Sequence, residues 1–97
     1  MAKWSFLTHH AVVLSIIAHH PCITARELSM HIGITERTVR RIIKDLETGG
    51  YLRKEKEGRT LRYSIRKNLP LRRKTHRDKS VGDLLSVLGV QFRKKAI

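Results

Sequence analysis

The chain has 97 residues, with 21 Lys plus Arg against 8 Asp plus Glu, a formal charge of +13 with His neutral. That length fits one domain with one modest core, burying roughly 60–65% of the unfolded surface, and leaves no room for a separate catalytic domain. An apolar content of 40% marks a folding sequence rather than a disordered basic tail.

The first residues, Met1-Ala2-Lys3-Trp4-Ser5-Phe6, lack the charged-then-apolar layout of an export signal, so a cytoplasmic location is expected. Leu7, Ala11, Leu14 and Ile17-Ala18 recur at helical spacing, with Thr8 as cap and Pro21 as stop. They predict a first helix over 8–19 that forms the buried spine. Its apolar run, Ala11 to Ala18, is far short of the ~20 residues that span a bilayer. Cys22 is the only cysteine, which excludes an internal disulfide; it reads as a small core residue. Thr24-Ala25-Arg26-Glu27 is a capping box opening a short helix over 25–31, and Gly33 supplies the tight turn after it. Thr35 caps a third helix over 36–48. Val39, Ile42, Ile43 and Leu46 form its apolar stripe, and Gly49-Gly50 ends it.

Beyond the glycines the period changes to two. Residues 51–56 read as a strand. Leu61, Tyr63 and Ile65 alternate with polar residues in a second, half-buried strand, and Glu57-Gly58-Arg59-Thr60 forms the hairpin tip. Residues 67–79 contain Pro70 and many basic side chains and read as an extended connector, which Leu69 and Leu71 can pin to the core. Ser80 and Asp83 open a last helix, with Val81, Leu84, Leu85 and Leu88 at i, i+3, i+4 and i+7 and Gly89 as its end. The tail with Arg93-Lys94-Lys95 is expected to fray. The fold class is therefore mainly α with a small β-hairpin: a three-helix core plus wing, with an added C-terminal helix. The expected organisation is a winged helix domain over 1–67, a basic connector over 68–79, and a C-terminal helix and tail over 80–97.

Charge is concentrated in one stretch. Residues 35–79 hold 16 basic and 6 acidic residues, a net of +10, against +1 for residues 1–34 and +2 for 80–97. Such a patch is the electrostatic footprint of a polyanion partner. Two helices joined by a short Gly-containing turn, then a hairpin, have the spacing of a winged helix-turn-helix. Advancing about 100° per residue from Val39 puts Arg37, Arg41, Lys44 and Thr48 on the outward side of the third helix, with Arg40 at one flank. A helix so charged fits the major groove of double-stranded DNA. Arg37, Thr38 and Arg41, early in the helix, are candidates for base edges, and Lys44 for a phosphate. Arg59 at the hairpin tip and Arg62 on its arm are candidates for the minor groove or backbone. The competing reading of the helix is a solvated face laced by pairs such as Arg41–Asp45; that of the hairpin is edge protection by charge.

The run from Ile34 to Leu52, ITERTVRRIIKDLETGGYL, resembles the recognition helix and strand entry of MarR-like winged helix regulators, and Thr24 to Leu28 resembles the helix before it. The resemblance covers roughly residues 8–66. It implies a DNA-binding regulator in which Thr35, Arg37, Thr38 and Arg41 contact DNA from the helix and Arg59 from the wing. Full-length members are longer, with terminal helices that form a dimer and a ligand crevice. Here only the first helix and residues 80–88 are available, so no dedicated small-molecule pocket is expected and any effector is unknown. Metal-sensing relatives carry a cysteine pair near the third helix, which this chain lacks.

His9, His10, His19, His20, His31 and His76 contain two adjacent pairs, but helical neighbours point about 100° apart and do not share an ion easily; no metal or other cofactor is expected. There is no close carboxylate pair, phosphate-cradling loop or nucleophile elbow, so no catalytic residue is assigned. Val81, Leu84, Leu85 and Leu88 read either as packing on their own domain or as a homodimer seam, with the seam favoured. The whole reads as a sequence-specific, dimeric regulator of transcription, a repressor before an activator. The alternatives are a sequence-neutral architectural DNA- or RNA-binding protein and an adaptor for an acidic protein.

Overall fold

A computed structural model describes residues 4–90; the expected fraying of Arg93-Lys94-Lys95 lies outside them. Helix α1 (His9–His19) has Thr8 as cap, its hydroxyl accepting from the Ala11 amide. Helix α2 (Ala25–Ile32) opens on a complete capping box: the Thr24 hydroxyl accepts from the Glu27 amide, and the Glu27 carboxylate accepts from the Thr24 amide. These bonds satisfy helix-end donors that would otherwise lack partners. The helix ends at Gly33, whose φ of +81° is costly for any residue with a Cβ. Three residues later α3 (Glu36–Thr48) begins, capped by Thr35.

The hairpin pairs β1 (Leu52–Glu57) with β2 (Thr60–Ile65) in antiparallel register from Leu52 opposite Ile65 to Glu57 opposite Thr60. Gly58 has φ +60°, and Arg59 has no positive φ, the φ pattern of a type II′ turn. Leu52 is buried, but every later residue of β1 is exposed, so the distal hairpin stands clear of the body as a wing. Of the alternating set, Tyr63 and Ile65 are half-buried and Leu61 is exposed, because Leu61 lies on that distal half.

The core joins Val13, Leu14 and Ile17 of α1, Leu28 of α2 and the stripe Val39, Ile42, Ile43 and Leu46 of α3. Cys22 is exposed, contrary to its expected place in the core. The short link after Pro21 turns Ile23 inward instead, and the Pro21 carbonyl accepts from the Tyr63 amide at 2.8 Å, tying the link to the wing.

Residues 67–79 are not extended. They fold back as a loop containing a 3₁₀ turn (Lys74–His76) and an isolated bridge between Pro70 and Ser80. The Leu71 amide donates to the Lys79 carbonyl at 2.9 Å, and the Tyr51 hydroxyl donates to the Pro70 carbonyl. Helix α4 (Val81–Val87) follows, with a second capping box between Ser80 and Asp83. Its first amides donate back to the loop: Val81 to the Leu69 carbonyl and Gly82 to the Lys67 carbonyl, both at 2.8 Å. Among the described residues no helix is long and apolar enough to cross a membrane.

Candidate nucleic-acid interface

The outward face of α3 is built by its own inward face. Four aliphatic side chains on one stripe fix the helix on the core, so the residues opposite them must point to solvent. Arg37, Arg41, Lys44 and Thr48 are all exposed there. Arg40, at the flank, is exposed too, but its guanidinium donates to Glu36 at 2.7 Å one turn earlier, so its charge is offset locally. Thr35 and Thr38 are held together, their hydroxyl oxygens 2.8 Å apart while the Thr38 amide donates to the Thr35 hydroxyl.

Asp45 decides the balance of the face. It does not pair with Arg41 but turns to α1, where its carboxylate lies 2.8 Å from His10 Nε2. Arg41 is thereby left free of it, and Arg37, Arg41 and Lys44 make no ion pair among the described residues. Three unneutralised cations line one helical face, and Arg37 lies in the first turn, where the helix dipole also favours anions.

The wing brings a further cation. Arg59 sits at the tip and is exposed, with no ion pair among the described residues. Arg62 lies opposite Glu55 in the register, and Arg53 Nε is 3.8 Å from the same Glu55, so the arms are partly self-neutralised and the tip is not. The wing adjoins the Arg40–Glu47 side of α3: burial raises the Tyr63 phenol above its ordinary pKa, Glu47 adds to the rise and Arg40 opposes it.

Residues 6–62 match a family model described as the MarR family, more than half of the chain. The chain belongs to the MarR family. That family comprises DNA-binding transcriptional regulators, and the four helices with a two-stranded hairpin are a MarR-type winged helix. An uncharacterized protein of Methanocaldococcus jannaschii is 40% identical over 57 residues, covering 58% of this chain and 12% of that relative's length. No solved structure matches.

Other predicted residues of this MarR-family chain fall into place differently. Val81 and Leu85 are fully or almost fully buried in the chain's own core, whereas Leu84 and Leu88 are half-buried and Val87 is exposed. The adjacent His19 and His20 face the same shallow concavity as Cys22, Glu27 and His31, yet among the described residues no group of three or more such side chains is arranged to hold a metal ion. Two features escaped the sequence reading. One is an open groove of about 810 Å³, floored by Leu14, Leu46, Leu71 and Leu85, between α1, the C-terminal half of α3, the 71–76 loop and α4. A chain this short was not expected to form such a crevice; the folded loop supplies the missing wall. The other is His10, whose pairing with Asp45 joins residues 35 positions apart and has no local signal.

Proposed function

We propose that this protein is a sequence-specific double-stranded DNA-binding regulator of transcription that acts in the cytoplasm as a homodimer and represses by occluding its site. Helix α3 enters the major groove, with Arg37 and Arg41 at base edges, Thr35 and Thr38 near the entry, and Lys44 and Arg40 on phosphates. The wing tip, with Arg59 and then Arg62, reaches the adjacent minor groove or its backbone. The observation that carries this reading is the face of α3, where Arg37, Arg41 and Lys44 stand exposed and unpaired, Asp45 being turned to His10 and not to Arg41. Arginine binds the O6 and N7 of guanine bidentately, discriminating by ~1–3 kcal/mol per good pair, whereas lysine on a phosphate carries no sequence information.

The dimer seam proposed is the outer edge of α4, where Val87 is exposed beside the half-buried Leu84 and Leu88, with the buried Val81 and Leu85 anchoring the helix from beneath. Two copies would present two α3 helices to half-sites about one DNA turn apart.

Competition binding of the Arg41→Ala and Lys44→Ala variants against a panel of duplexes tests the groove placement. Arg41→Ala is expected to relax base preference at one position and Lys44→Ala to weaken all duplexes alike. Unchanged base preference in Arg41→Ala would refute the placement of α3.

A further inference from the structure

The loop between the wing and α4 is the most one-sidedly charged part of the described chain. From residue 66 to residue 80 there are seven Lys or Arg and one acid, Asp78. Arg72, Arg73, Lys74, Arg77 and Lys79 are all exposed, and none forms an ion pair among the described residues. A chain segment so charged repels itself and extends when free. Here it is folded, clamped at its ends by the Lys67–Gly82, Leu69–Val81 and Leu71–Lys79 backbone hydrogen bonds and by Tyr51 on Pro70. The fold thus maintains a compact cluster of cations against their mutual repulsion, which a polyanion lying across it relieves.

Its position is defined by α3. Arg72 Nη1 lies 3.3 Å from where a side chain would begin at Gly49, the cap of α3, and Arg72, Arg73 and His76 line one groove with Lys44, Asp45 and Thr48. The loop therefore flanks the C-terminal end of α3 on its Asp45 side, while the wing adjoins the Glu47 side. Those two positions are about 160° apart around the helix, with Arg37, Arg41, Lys44 and Thr48 between them.

We propose that the 72–77 turn is a second phosphate-binding surface, in which Arg73, Lys74 and Arg77 grip the sugar–phosphate backbone of duplex DNA on the side of α3 away from the wing. This rests on the reading of α3 as the groove-binding helix. The contact is sequence-neutral, because the turn meets backbone oxygens and not base edges. It gives the small domain a three-part footprint of wing, helix and loop.

The test is the salt dependence of binding by the full chain, measured on a random-sequence duplex between about 50 and 200 mM salt. Each lost phosphate contact lowers the slope of log affinity against log salt by about 0.9. The triple variant Arg73→Ala, Lys74→Ala, Arg77→Ala is expected to lose about 2.7 from the slope per protomer, so that its affinity falls about 40-fold less over that range. Its thermal midpoint should not fall, since the side chains are exposed and unbonded and their loss relieves mutual repulsion. A variant with Arg73→Lys and Arg77→Lys should keep the slope, because a point charge suffices for a phosphate. An unchanged slope in the alanine variant, with the wild type binding duplex DNA, overturns the loop contact and leaves the α3 reading intact. A slope change seen on single-stranded RNA and not on duplex DNA overturns it in favour of RNA contact. No duplex binding by the wild type overturns both readings.

Discussion

Asp45 shows how one side chain sets the character of a surface. One turn after Arg41 it is placed to neutralise it, in the i,i+4 arrangement common on solvated helices. Its bond to His10 removes that option and leaves Arg41 available. Replacement of His10 by Ala is therefore expected to release Asp45 to Arg41 and weaken duplex binding, and the double variant His10→Ala, Asp45→Ala should recover it. Competition titration reads both; equal affinities of wild type and His10→Ala would discard the idea. Gly82 is a second decisive residue. A Cβ there would lie 2.8 Å from the Lys67 carbonyl oxygen, a backbone atom held by the hydrogen bond from Gly82 itself. Gly82→Ala is expected to cost about 1–3 kcal/mol through forced displacement, lowering the thermal midpoint by roughly 4–8 °C per kcal/mol.

At the scale of elements, the parts readable from sequence are those whose causes are local. Thr24 and Glu27 announce α2, Thr35 and Gly49-Gly50 bracket α3, and Ser80 and Asp83 announce α4, because cap bonds join residues only three apart. Arg37, Arg41 and Lys44 were legible on one face for the same reason: helical periodicity fixes it. The 67–79 loop was not legible, since its order comes from Lys67, Leu69 and Leu71 bonding to residues 79–82, without any period. Cys22, expected inside, is exposed and Ile23 is turned in, because nothing in the adjacent residues says which of them the link turns inward. The caps carry a pH dependence. In both boxes the carboxylate is held below its ordinary range, first by the backbone amide of Thr24 or Ser80 and then by that residue's hydroxyl. A depressed folded-state pKa contributes stability above the unfolded value that is lost as pH falls through the folded one. Denaturant unfolding should therefore show stability falling below about pH 4.5, with a smaller fall in Glu27→Gln. Identical pH profiles would show that the box contributes nothing through charge.

For the whole molecule, α4 has two sides with different duties. Leu85, with no exposed surface, closes the core, and Leu85→Ala should cost about 2–5 kcal/mol at any protein concentration. Val87, 85% exposed, contributes little to the monomer, so Val87→Lys should leave the unfolding of the monomer nearly unchanged while disrupting the proposed dimer. Sedimentation over a concentration series distinguishes these; a protein that is monomeric throughout would remove the dimer from the account. The charge of +13, with its excess in the helix, wing and loop, makes binding steeply sensitive to salt whatever the sequence bound. On the proposed reading specificity comes from the few arginines placed at base edges, and that is the central claim. It is tested most directly by selecting ligands from a random duplex DNA pool at about 150 mM salt and sequencing the bound fraction. The account predicts an enriched palindrome with half-sites about 10 base pairs apart. Retention of DNA with no enriched motif would contradict it.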